Sequence, residues 1–154
     1  MTHEDYMRLA IDLAREAAAA GEVPVGCVIV DRDGQVIGRG RNRREEEKNP
    51  LAHAELDAIA DACRRYGDWR LKGARLYVTL EPCPMCAGGI ISARIPEVYY
   101  GAKDAGFGAC GSILNLFEED FRHHPKIVGH ILEAECAALL RDFFAQVRGN
   151  DLKT

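Results

Sequence analysis

The stretch "ARLYVTLEPCPMCAGGIISARI", Ala74 to Ile95, sets the pattern for the whole chain. Its first third, "ARLYVTL", is a β-rich run that follows Gly73. Its remainder begins with Pro84, a residue suited to the first turn of a helix. A strand therefore runs into a helix, and Cys83 and Cys86 sit at the junction. A Cys-x-x-Cys pair in isolation fits a redox couple, half of a structural zinc site or part of a catalytic metal centre.

Working outward, the same alternation continues. Thr2 and Asp5 have capping-box spacing, and Met7, Ala10, Ile11, Ala14, Ala17 and Ala18 recur with helical period up to a stop at Gly21. "VPVGCVIVD", "RDG" and "QVIGRG" predict an antiparallel hairpin, with Pro24 at the strand's start or on an edge. The charged "RNRREEEKNP" is expected to be loop. From His53 to Tyr66 the residues Leu56, Ile59, Ala60 and Cys63 fall on one stripe of a helix that Gly67 ends. "EVYYGA" predicts a short strand, "GFGACGS" a glycine-rich loop and "PKIVGHIL" a last strand. A closing helix is expected over Glu133 to Val147, with Ala137, Leu140, Phe144 and Val147 on one side, and a disordered tail over 149–154. The fold class is α/β: a mixed sheet with helices on both faces, in one domain over residues 1–154.

Composition narrows the partners. The 154 residues carry a net charge of −4, and a pI near 5.7 gives no hint of a generally basic, nucleic-acid-binding domain. "MTHEDYMRLA" lacks the pattern of a signal peptide and no apolar run is long enough to span a bilayer, so a cytoplasmic protein without membrane association is expected. Six cysteines in such a chain point to metal binding or burial rather than to disulfides. Cys27, Cys63 and Cys136 occupy core-like positions, while Cys110 in the glycine-rich loop is unassigned.

A second helix opening carries the other half of the chemistry, His53-Ala54-Glu55. Side chains of a first turn tilt toward the helix start and can converge on a point beyond it. One imidazole and two thiols, with one open position, form a catalytic type of zinc centre, and the helix N-termini favour thiolates. Zinc lowers the pKa of a bound water to about 7, and Glu55 is the candidate to move that water's proton. His-x-Glu followed by Pro-Cys-x-x-Cys matches the signature of zinc nucleobase deaminases.

With those motifs, "GEVPVGCVIV", "LAHAEL", "LYVTLEPCPMCAGGII", "SARIPEVYYGAKD" and "EAECAALLRDFF" resemble the bacterial tRNA-specific adenosine deaminases of the cytidine deaminase-like superfamily, from about Thr2 to Arg148. The resemblance implies a three-layer α/β/α sandwich around a five-stranded mixed sheet. It also implies one Zn2+ per subunit held by His53, Cys83 and Cys86, with Glu55 as the proton shuttle and Asn42 contacting the flipped base. The expected enzyme is a homodimer that uses water to convert the wobble adenosine of a tRNA anticodon loop to inosine.

Two segments depart from the family pattern. Asp104-Ala105-Gly106-Phe107-Gly108 stands where the family has Asp-Pro-Lys-x-Gly, and Phe121-Arg122-His123-His124 lacks the family's asparagine. They keep a second substrate class open: a free nucleobase or nucleoside of the guanine, adenine or cytosine type. A third alternative is a closed, non-catalytic zinc module, which needs a fourth protein ligand. Arg39, Arg41, Arg43 and Arg44 form a basic run that could meet phosphates or, beside Glu45, Glu46 and Glu47, merely a solvated charged loop. Phe107 could be core or a stacking platform.

Overall fold

The computed structural model describes residues 1–153. Five strands form one sheet in the order β2-β1-β3-β4-β5: β1 Gly26–Val30, β2 Val36–Arg41, β3 Arg75–Leu80, β4 Glu97–Ala102 and β5 Lys126–Val128. β1 pairs antiparallel with both β2 and β3, while β3, β4 and β5 are parallel, so the sheet is mixed as expected. The helices are α1 His3–Ala19, α2 Arg44–Glu47, α3 Ala54–Tyr66, α4 Pro84–Ser92 and α5 Glu133–Lys153. A 3-10 turn covers Leu116–Glu118.

Strand residues alternate between the two faces because successive side chains point to opposite sides. Cys27, Ile29, Leu76, Val78, Val98 and Tyr100 face α3 and α4. Val28, Val30, Tyr77 and Tyr99 face the other way, with Tyr6, Met7, Ala10 and Ile11 of α1 and Cys136 of α5. The result is a three-layer α/β/α sandwich. Full burial of residues such as Met7 and Ile11 contributes about 1.5–3 kcal/mol each. The capping box of α1 forms as its sequence predicts: Asp5 N–H donates to Thr2 Oγ1 at 3.1 Å and Thr2 N–H to Asp5 Oδ2 at 2.9 Å.

Four local expectations are corrected. The charged loop after β2 contains the short helix α2, whose first N–H groups at Glu45 and Glu46 donate to the buried Glu22 carboxylate at 3.1 and 2.9 Å. That cap comes from far back in the chain, so no local signal announces it. The buried edge of α3 is Ala54, Ala58 and Ala62 with Glu55, while Ala60 is exposed and Cys63 only half-buried. Gly38 and Gly40 on β2 bring the helix so near that a Cβ at either would meet the backbone of α3, and only alanine fits between. Tertiary approach thus displaces the larger Leu56 and Ile59 from the contact line.

The last strand is shorter than "PKIVGHIL", being confined to Lys126–Val128. The closing helix is longer: α5 continues to Lys153 through most of the segment expected to be a disordered tail, and Thr154 lies outside the described residues. Among the described residues no helix is long and apolar enough to cross a membrane. All six cysteines are free.

Candidate active site

The topology brings two helix starts to one end of the sheet. β2 and β3 both run antiparallel to β1, so their C-terminal ends lie on the same edge. α3 opens after the loop that follows β2, and α4 opens three residues after β3. The carboxyl ends of strands are where sheets of this kind hold ligands.

His53 and Cys83 are the N-cap residues of α3 and α4, and neither side chain caps its helix. Other groups reduce the need. Asn42 Oδ1 accepts the Ala54 N–H at 3.0 Å, and Pro84 at the start of α4 has no N–H to satisfy. The imidazole and the thiol are thereby left to face each other. His53 Nδ1 lies 3.7 Å from Cys83 Sγ and 3.5 Å from Cys86 Sγ, and the three atoms form one cluster within 4.8 Å. Zn–S near 2.3 Å and Zn–N near 2.0–2.1 Å place tetrahedral neighbours about 3.5–3.8 Å apart, so the donor set fits zinc. It comprises three ligands among the described residues and not four, which argues against a closed structural site.

Electrostatics agree with that geometry. The hydrogen bond from Cys86 holds the Cys83 thiol down at about 4, with help from His53. Cys86, giving that bond and buried, is pushed upward. The bond with Cys83 raises the His53 imidazole against the opposing effect of burial. Glu55, almost wholly enclosed, is raised to about 7, chiefly by burial. A carboxyl in that range can both take and give a proton near neutrality.

A cavity of about 630 Å³ opens over this cluster. His53, Glu55 and Cys83 contribute to its wall, with Val23, Val25 and Asn42 on one side and Leu80, Asp104, Ala105 and Phe107 on another. Asn42 is buried, and its Nδ2 donates to Val23 O at 3.1 Å. With Oδ1 committed to Ala54, one N–H of the amide stays available to the cavity. Phe107 is 70% exposed, which excludes the core placement left open by the sequence.

The basic run divides. Arg41 pairs with Glu46 at 2.8 Å and Arg43 with Asp57 at 3.3 Å, whereas Arg44 lines the cavity, as does Lys103. Among the described residues Arg44 and Lys103 make no ion pair under 4.0 Å. His123 and His124 lie near the Ile95 and Phe117 carbonyls, at 2.7 and 3.0 Å, and not in the cavity wall.

Sequence reasoning missed several lining residues. Leu140 and Phe144 reach the cavity from α5, Lys103 from the end of β4, and Glu81 from the end of β3. For Glu81 a signal existed, since an acidic residue directly before Pro82-Cys83 stands in an otherwise apolar strand end. For the α5 pair none did, because helical periodicity cannot tell a core stripe from a cavity rim.

Comparison with known proteins agrees with this geometry. Residues 1–102 match the family described as the cytidine and deoxycytidylate deaminase zinc-binding region. A tRNA-specific adenosine deaminase of Bacillus subtilis is 46% identical over 150 residues, covering 96% of this chain and 92% of the relative. A solved structure from work on A-to-I editing by tRNA:A34 deaminases at the wobble position of transfer RNA superposes with a TM-score of 0.85 at 45% identity, over 88% of this chain and 99% of that one. A guanine deaminase structure from Bacillus subtilis has a TM-score of 0.65 at 42% identity, over 70% of this chain and 72% of that one. Near-complete coverage at such identity goes with the zinc-type donor set and the buried carboxyl: the chain belongs to the cytidine and deoxycytidylate deaminase zinc-binding family and, within it, to the tRNA-specific adenosine deaminases.

Proposed function

We propose that this protein is a zinc-dependent hydrolase that converts adenosine to inosine at the wobble position of a tRNA anticodon. The observation that carries the proposal is the three-donor cluster of His53, Cys83 and Cys86 at the wall of a cavity it shares with the buried Glu55. His53, Cys83 and Cys86 would hold one Zn2+ per subunit. Bound there, zinc supplies a water acidic enough to be deprotonated near neutral pH.

In the net reaction, water adds at C6 of the adenine ring and the exocyclic amine leaves as ammonia. Glu55 accepts one proton from the water and passes it to ring N1; it then takes the second from the hydroxyl now on C6 and passes it to the departing amine, so that the C6 carbonyl forms as ammonia leaves. A carboxyl poised at about 7 suits both halves of that transfer. The free N–H of Asn42 hydrogen-bonds the base and fixes its edge. Val25 and Leu80 on the cavity wall exclude bulk water from the ring. Arg44 and Lys103 at the same cavity offer cations to phosphates on either side of the flipped nucleotide.

The same proposal includes a cytoplasmic homodimer of single-domain subunits, with the exposed Ile113 and Leu114 as apolar candidates for the contact. Sedimentation velocity tests the subunit number.

A free purine base is the second substrate class. The apolar rim at Ala105–Phe107 and the likeness to a guanine deaminase structure support it. Incubating the zinc-loaded enzyme with an anticodon stem-loop carrying adenosine at the wobble position, and in parallel with free adenosine, adenine, guanine and cytidine, separates the two. Inosine formed in the stem-loop, at a rate that falls steeply with salt, is the expected result. Release of ammonia from guanine with the stem-loop untouched would overturn it.

A further inference from the structure

Glu81 is a carboxylate with 2% of its surface exposed, and among the described residues no cation pairs with it. It is satisfied by donors from a single loop. Oε1 accepts the Asp104 N–H at 3.1 Å and the Ser112 hydroxyl. Oε2 accepts the Cys110 N–H at 3.0 Å and the Ser112 N–H at 3.1 Å. The backbone on either side repeats the connection: Glu81 N–H donates to Ala102 O and Ala109 N–H to Pro82 O, each at 2.8 Å.

Gly108 lies so near that a Cβ there would meet the Glu81 carboxylate. Burying an anion against neutral donors is costly, and an apolar residue of similar size would hold two segments together more cheaply. The arrangement gives direction instead. Three backbone N–H groups spread over nine positions of the loop are aimed at one point.

That loop is the cavity wall. Asp104, Ala105 and Phe107 line the cavity, and Asp104 Oδ1 accepts the N–H groups of Gly106 and Phe107 at 3.0 and 3.1 Å, so the tip is shaped as a turn with Phe107 outward. Glu81 stands two residues before Cys83, so one side chain fixes the distance between the metal-binding segment and the aromatic at the rim.

We infer that Glu81 is a positioning residue: it holds the Asp104–Ser112 loop so that Phe107 stands as a stacking surface for a base next to the reacting nucleotide. The inference rests on the polynucleotide substrate proposed above. A free base has no neighbour to stack.

The test uses the full-length zinc-loaded enzyme and an anticodon stem-loop with 2-aminopurine beside the wobble adenosine. Wild type should quench the 2-aminopurine on binding. Glu81→Gln places an amide N–H against backbone donors, and should raise KM for the stem-loop roughly tenfold and abolish the quench, with zinc content unchanged. Phe107→Ala should do the same, and the double variant should be no worse than the poorer single one. Ser112→Ala, which removes one donor, should shift KM and quench in the same direction by less, and serves if Glu81→Gln does not fold.

Additive effects of Glu81→Gln and Phe107→Ala, or full quench retained in Glu81→Gln or Ser112→Ala, overturn the inference while leaving the substrate proposal standing. A wild-type enzyme that neither binds nor converts the stem-loop overturns both.

Discussion

On one face of the sheet, α1 and α5 cover Val28, Val30, Tyr77 and Tyr99; on the other, α3 and α4 cover Cys27, Ile29, Leu76 and Val78. Both faces are closely packed, and both contain titratable groups. On the α1 face the two tyrosines favour their neutral forms. Burial pushes the hydroxyls of Tyr77 and Tyr99 up to about 12, the two rings stack at 4.9 Å, and Tyr77 meets His3 Nδ1 at 2.6 Å. On the α3 face Cys83 lies at about 4 and Glu55 at about 7, while burial pushes Cys27 and Cys110 upward.

The difference follows from what each buried group is and what it meets. Burial raises Glu55 and the tyrosines alike, but a carboxyl starting from 4.5 arrives at about 7 while a phenol starting from 10.0 moves to about 12. Cys83 goes the other way because Cys86 and His53 hydrogen-bond to its sulfur. Similar burial therefore accompanies a neutral tyrosine cluster on one side and groups that titrate near or below neutrality on the other.

Substitutions can break this contrast, and the largest effect belongs to the reactive face. Glu55→Ala should lower kcat by about 10²–10⁴-fold or more with zinc content retained, measured by turnover and metal analysis of one preparation. Wild-type turnover would refute proton transfer by Glu55.

Gly40→Ala comes next. Its Cβ would meet the Ala54 carbonyl and the Ala58 N–H, pushing the start of α3 away from the sheet. Denaturant unfolding should show a loss of about 1–3 kcal/mol, and kcat/KM should fall roughly tenfold as His53 and Glu55 shift. Unaltered activity would show that the two residues are not fixed by this packing.

On the opposite face, Tyr77→Phe should cost about 1 kcal/mol through loss of its hydroxyl contacts with His3 and Arg75, and leave kcat/KM unchanged. A fall in kcat/KM would mean that the faces are coupled.

The smallest effect is in acid. Burial raises the Asp61 carboxyl, but the Arg39 N–H and the Arg65 guanidinium outweigh it and hold it below 3.8. The fold thus favours the ionised form. Its contribution is complete above the unfolded value and lost as pH falls through the folded one. Between pH 5 and 3 the wild type should lose about 1 kcal/mol or less relative to Asp61→Asn in urea melts.

The gathering of His53, Cys83 and Cys86 was legible because its signals are short. His53-Ala54-Glu55 and Pro82-Cys83-Pro84-Met85-Cys86 each lie within a turn of a helix start, and Pro84 marks that start directly. β1, β3 and β4 were legible as short, β-rich apolar runs, which is how strands covered on both faces read. The α3 contact line was not: a stripe of Leu56, Ile59, Ala60 and Cys63 satisfies helical period, and only the approach of Gly38 and Gly40 selects the alanine edge. Nor was α2, whose cap is Glu22, or the exposure of Phe107.

Sequence by itself determined the main elements other than α2, their order and the His53, Cys83 and Cys86 set, since propensity, capping and ligand chemistry act over a few residues. The cavity was decided by tertiary structure. Its wall joins Val23, Asn42, His53, Cys83, Phe107 and Phe144, and separations that long are closed by strand pairing and helix packing.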